Sequence, residues 1–145
     1  MDAHHSDAMV FFGATGDLAY KKVFPALQAL VQRGQLDVPV IGVAKNEWGI
    51  EQLRARAKDS IEKCGDFDAS AFSKLSALLR YVSGDYHGLR TFERLRHQLG
   101  HAKRPLFYLA IPPSMFAIVT DKCQVAAFLF LPGCGSIHHR YMNVH

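Results

Sequence analysis

At 145 residues, 49% hydrophobic and 21% charged, the chain has the size and composition of one soluble globular domain. Its 17 Lys and Arg against 13 Asp and Glu leave a net charge of +4, scattered along the sequence. That excludes a nucleic-acid-binding stripe and suits a phosphate-bearing ligand. No run approaches the ~20 apolar residues of a membrane span, and the first 13 residues carry no secretory signature. Cys64, Cys123 and Cys134 form neither a CxxC pair nor a dense framework, so reduced thiols in a cytoplasmic compartment are expected.

Ala8 to Phe12, AMVFF, is an unbroken apolar run ended by Gly13, the pattern of a strand buried on both faces of a parallel sheet. From Asp17 to Arg33 the residues Leu18, Val23, Leu27, Leu30 and Val31 recur at helical spacing, and Gly34 supplies a stop. Val38 to Ala44, rich in β-branched residues, predicts a second buried strand. Ile50 to Cys64 predicts an amphipathic helix closed by Gly65. Ala69 to Leu79 predicts another, with Phe72, Leu75, Leu78 and Leu79 on one face. Arg80 to Ser83 reads as a third strand, followed by the turn GDYHG and a helix over Thr91 to Leu99. Pro105 to Ile111 reads as a fourth strand, ended by Pro112 and Pro113, and Pro113 opens a helix running to about Cys123. Strands alternating with helices over short connections imply βαβ units with right-handed crossovers, hence an α/β fold with a mostly parallel sheet.

The segment Gly13-Ala14-Thr15-Gly16-Asp17-Leu18 joins the first strand to the first helix. A helix start exposes unpaired N–H groups at the positive end of its dipole, and glycines let an anion approach the backbone. Thr15 or Asp17 is expected to cap the helix. A bare GxxG also marks ordinary strand-to-helix turns, but the first turn of an α/β pattern is where dinucleotide pyrophosphates bind. The residue ending the second strand then distinguishes cofactors, since an acid holds ribose hydroxyls and a base accommodates a 2′-phosphate. Lys45 stands there, flanked by Asp37 and Glu47, and is either a solvated strand-end lysine or that phosphate contact.

The run Gly13 to Leu27, GATGDLAYKKVFPAL, closely resembles the coenzyme loop of glucose-6-phosphate dehydrogenases. Three further segments resemble that family in the same order: IGVAK (Ile41 to Lys45), YVSGDY (Tyr81 to Tyr86) and LFYLAIPP (Leu106 to Pro113). The resemblance implies a Rossmann-like doubly wound sheet, incomplete at its C-terminal end, with an NADP-binding domain over residues 1–122. It implies that Gly13, Ala14, Thr15, Gly16, Asp17, Leu18, Ala19 and Tyr20 wrap the NADP pyrophosphate and that Lys45, where many relatives carry Arg, meets the 2′-phosphate. Asp85, Tyr86 and Tyr108 are implied to lie near the cofactor. The family reaction is hydride transfer from glucose 6-phosphate to NADP, giving 6-phosphogluconolactone at the head of the oxidative pentose-phosphate pathway.

Past Asp121-Lys122 the resemblance ends. Residues 123–145 contain neither the Glu-Lys-Pro-Phe-Gly nor the His-Tyr-x-Gly-Lys element of the family and read as off-frame or truncated sequence, expected to be disordered. Turnover by these residues alone is therefore not expected, and no catalytic residue is assigned. Val125 to Leu131 is apolar enough for a makeshift strand. His138, His139, His145 and Cys134 fit no zinc spacing, and no metal is expected. Two other readings remain: a degenerate chain without ligand affinity, and a short-chain reductase or epimerase. The latter expects a glycine where Ala19 stands and a Tyr-x-x-x-Lys pair that the sequence lacks.

Overall fold

The computed structural model describes residues 7–121 and 140–143. Five strands form one parallel sheet: β1 (Ala8–Phe12), β2 (Val40–Ala44), β3 (Leu79–Ser83), β4 (Pro105–Leu109) and β5 (Arg140–Asn143), in the order β3-β2-β1-β4-β5. The order reverses direction at β1, which pairs with β2 on one edge and β4 on the other. Four helices connect the strands: α1 (Phe24–Gln32), α2 (Ile50–Cys64), α3 (Ala69–Leu78) and α4 (Leu89–Leu99).

Strand alternation divides the core into two layers. Met9 and Phe11 of β1, with Val40 and Ala44 of β2, face the cluster built on α1, α2 and α3. Val10, Phe12, Ile41 and Val43 face the opposite cluster, which holds Phe92 and Leu95 of α4 and Val119. Phe11, Phe12 and Phe24 are fully buried and contribute roughly 2–3 kcal/mol each. Gly42 has no room for a side chain, since a Cβ would lie 2.8 Å from the Ala14 Cβ and 3.3 Å from Leu53. Its bareness lets the turn after β1 settle on the sheet. Buried Gln28 is satisfied by the Asp66 carbonyl at 2.6 Å and the Asp68 amide at 3.3 Å.

Several boundaries differ from the sequence pattern for local reasons. The helix after the turn begins with a π-helical stretch, Ala19–Val23, in which the Phe24 amide reaches five residues back to the Ala19 carbonyl. Pro25, directly after it, has no N–H to continue an ordinary ladder. β2 starts at Val40, past Pro39, and Leu79 both ends α3 and begins β3 with an extended ψ of 137°. After β4 a 3₁₀ turn, Pro113–Met115, leads into helical residues 116–121. β5 lies within the segment that the sequence pattern left without structure, and pairs in parallel with residues 106–109. Val125 to Leu131 and the tail histidines lie outside the described residues.

Candidate functional site

The C-terminal ends of β1, β2 and β3 converge on the turn after β1. Gly13 leaves the strand at φ +84°, where a Cβ would lie 2.1 Å from the Ala110 carbonyl oxygen. Only glycine fits this passage. Its amide is shared between the Val43 carbonyl at 2.9 Å and the Tyr86 hydroxyl at 2.7 Å. The same hydroxyl donates to the Val43 carbonyl at 3.0 Å. Ala14, fully buried, also donates to Val43, at 3.2 Å, and the Gly16 amide closes the turn on the Gly13 carbonyl at 3.0 Å. Gly16 and Asp17 are exposed.

Thr15 and Asp17, the residues expected to cap the helix, do not. The Thr15 hydroxyl donates instead to Asn46 Oδ1 at 2.7 Å, Asp17 makes no side-chain hydrogen bond among the described residues, and no side chain caps the start at Leu18. Asn46 lies just past β2 and accepts the hydroxyl's hydrogen bond, while among the described residues no amide of the helix start donates to that oxygen. The opening amides of the helix therefore remain available to an external anion.

Around the end of β2, Lys45, Asn46 and Glu47 are exposed, and Lys45 forms no ion pair among the described residues. Tyr81 of β3 donates its hydroxyl to the Asn46 carbonyl and, at 3.4 Å, to that of Ala44, fixing the strand end. Burial pushes the Tyr81 phenol up to about 12. Tyr86 is also pushed up to about 12 by burial, against the opposing bond from the Gly13 amide. Both remain neutral hydrogen-bonding groups at physiological pH.

Tyr20 is tied to α2, its hydroxyl donating to Asp59 and its carbonyl accepting from Ser60. The Tyr20 hydroxyl foremost, and Lys63, hold the Asp59 carboxyl below the ordinary carboxylate value. From the same helix Arg56 reaches the underside of the turn. It donates to the Gly16 carbonyl at 3.3 Å, with its guanidinium 4.7 Å from the Tyr20 ring and 6.0 Å from the Trp48 ring.

Asp85 sits at the rim beyond β3. Its carboxylate accepts the His87 amide at 2.9 Å, and its carbonyl accepts the Thr91 hydroxyl at 2.7 Å, so it shapes the turn that delivers Tyr86. Tyr108 is half-buried inside β4, paired with Phe11, and makes no side-chain hydrogen bond among the described residues. Thus Gly13 to Tyr20, Lys45 and Tyr86 gather at one place, Asp85 borders it, and Tyr108 lies within the sheet beside it. Asn46, Tyr81 and Arg56 belong to the same place and are not evident in the sequence.

A glycine passage that no Cβ could occupy, uncapped helix amides and an unpaired cation at the second strand end fit the pyrophosphate and ribose of a dinucleotide. Residues 10–130 match the family described as glucose-6-phosphate dehydrogenase, NAD binding domain. The chain belongs to that family. A glucose-6-phosphate 1-dehydrogenase of Mycobacterium tuberculosis is 39% identical over 116 residues, which cover 80% of this chain and 25% of the relative. The crystal structure of the Mycobacterium avium glucose-6-phosphate 1-dehydrogenase superposes with a TM-score of 0.83 at 37% identity, covering 97% of this chain and 29% of that one. A glucose-6-phosphate dehydrogenase solved with its substrate glucose-6-phosphate superposes at 0.78 and 26% identity, covering 99% and 31%. The chain thus spans about a quarter of the length of the relatives it matches. The match runs eight residues past Lys122, where the motif-level resemblance ends. Among the described residues no helix is long and apolar enough to cross a membrane.

Proposed function

We propose that this chain is the NADP-holding part of a glucose-6-phosphate dehydrogenase, working in a cytoplasmic, reducing compartment. The observation that carries the reading is the Thr15–Asn46 bond, which draws the turn after β1 against the strand end bearing Lys45. A pyrophosphate on the turn and a ribose phosphate at Lys45 are thereby served by one rigid unit. The amides at the helix start past Gly16 receive the pyrophosphate, and Lys45 supplies a point charge to the 2′-phosphate. Tyr86 fixes the height of the turn through Gly13 and Val43. Asp85 fixes the neighbouring rim. The exposed thiol of Cys64 is in keeping with a reducing compartment. NADP, when bound, supplies the hydride acceptor.

Oxidation of glucose 6-phosphate also needs a base at the sugar hydroxyl and groups that hold the sugar phosphate, and the motifs that carry them in the family do not occur in these 145 residues. We propose that the chain by itself binds NADP in the micromolar-to-millimolar range without turnover. Calorimetric titration with NADP, alongside an assay of nicotinamide reduction with glucose 6-phosphate in excess, tests both parts. Saturable heat with no reduction is expected. No saturation at millimolar NADP overturns the binding. Turnover that disappears in a Gly16→Trp variant overturns the inactivity.

A further inference from the structure

We propose that Arg56, on α2, reads the 2′-phosphate together with Lys45, an inference that rests on the NADP reading above. The other basic residues that α2 contributes to ion pairs are satisfied: Arg54 pairs with Glu51 at 2.7 Å and donates to the Ser76 carbonyl at 3.0 Å, and Lys63 pairs with Asp59 at 3.4 Å. Arg56 has no carboxylate within ion-pair distance among the described residues. Asp59, the acid that feels its charge, is already held by Tyr20 and Lys63. Among the described residues the one hydrogen bond Arg56 makes is the long contact to Gly16, and its Nε is buried without an acceptor. A buried donor left unpaired is costly and rare in a folded protein, and a ligand that completes it removes the cost.

The position indicates the ligand. Arg56 lies between the turn, through Gly16 and Tyr20, and the loop after β2, through Trp48, whose amide donates to the Asn46 carbonyl at 2.8 Å. In this fold that gap receives the adenosine ribose of a dinucleotide. Lys45 and Glu47 lie in the same loop after β2, and Arg56 approaches that loop at Trp48. A phosphate is the group that can take both the charge and the fork of Nε and Nη that the weak Gly16 contact leaves unused. NAD, which ends in a ribose hydroxyl there, cannot.

Trp48 is the sole tryptophan of the chain and lies beside the guanidinium, so its fluorescence follows occupancy of this gap. The full chain and its variants are titrated with NADP, NAD and adenosine 2′,5′-bisphosphate, with calorimetry as a second readout. Arg56→Ala is expected to weaken NADP and the bisphosphate by about tenfold to a hundredfold and NAD by less than about threefold. Arg56→Gln, which removes the charge but keeps an amide donor on a shorter stem, is expected to reproduce the loss, and Arg56→Lys, close to the parent in length and still charged, to recover part of it. Equal weakening of NAD and NADP would mean that Arg56 merely supports the turn and overturns the proposal, as does an unchanged NADP affinity in all three variants. A parent chain that binds NADP beside an Arg56→Ala variant of unaltered preference refutes only the role of Arg56. A parent that does not bind NADP removes the site reading and this inference with it.

Discussion

The Tyr86 hydroxyl accepts the Gly13 amide at 2.7 Å across 73 residues of sequence, while donating to the Val43 carbonyl at 3.0 Å. One phenol thereby joins the turn after β1, the end of β2 and the loop after β3. Tyr86→Phe keeps the edge-to-face packing on Phe12, whose ring centroid is 5.7 Å away, and removes only the hydroxyl. Gly13 and Val43 keep each other as partners at 2.9 Å, so no group is orphaned. A stability loss of about 0.5–1.5 kcal/mol is therefore expected, short of the ~1–3 kcal/mol of a stranded buried donor. NADP affinity is expected to fall as the turn loosens. Urea unfolding and cofactor titration on the same variant measure the two effects.

Two glycines with positive φ separate conformational strain from collision. Among the described residues nothing lies within 4 Å of where a Cβ at Gly34 (φ +69°) would stand, whereas at Gly13 (φ +84°) that atom would meet the Ala110 oxygen at 2.1 Å. Gly34→Ala is expected to cost roughly 1–2 kcal/mol, the left-handed penalty alone. Gly13→Ala is expected to cost at least twice that, because the obstacle is backbone in the sheet. Equal unfolding midpoints for the two variants would show that the β4 end yields.

At high pH the sign follows from two phenols, half-buried Tyr81 and buried Tyr86. Tyr81 and Tyr86 hold their protons to about 12 in the folded chain, above the ordinary value of 10.0. Between those values the unfolded chain ionises first and binds fewer protons than the folded one, so stability falls as pH rises. Below about pH 10 they contribute no pH dependence. Unfolding midpoints measured across this window should decline, and the decline should shrink in Tyr86→Phe.

Lys45→Ala is expected to reduce the preference for NADP over NAD by about 1–2 kcal/mol with NAD binding nearly unchanged, the scale of one charge-assisted bond. Combined with Arg56→Ala, the losses should be non-additive by ~0.5 kcal/mol or more, because both cations would address one phosphate. Strict additivity in isothermal titrations would place the two residues on separate groups.

β1 and β2 were readable because strands buried on both faces must be continuous apolar runs, as AMVFF and VIGVA are, and β4, PLFYL, because it is equally apolar although one of its faces is only half-buried. The helical stops at Gly34 and Gly65 were readable because left-handed backbone selects glycine. β5, Arg140–Asn143, was not, since four mixed residues carry no pattern and its partner is 34 positions away in register. The glycine turn and Lys45 were legible as types in position. Arg56 was not: along α2 it reads like Arg54, and only the fold reveals that Arg54 has a carboxylate partner while Arg56, among the described residues, has none and keeps a buried, unpaired Nε. Asn46 was hidden for a similar reason, because its partner Thr15 is 31 residues away and looked like a local cap.

The order β3-β2-β1-β4-β5 makes the earliest strand the innermost one. During synthesis β1 can pair with β2 after some 30 residues more, but its other edge waits for Pro105–Leu109. Until then a fully apolar strand presents an unpaired edge, the kind of surface that captures other chains. Asp7 holds the strand that closes that edge: its carboxylate accepts the amides of Lys103 and Arg104 at 2.6 and 2.8 Å, just before β4. The Asp7 bonds thus secure the pairing of β1 with β4 at the end of the sheet opposite the cofactor turn, while the Ala110 amide, donating to the Phe12 carbonyl at 3.0 Å, secures it beside that turn.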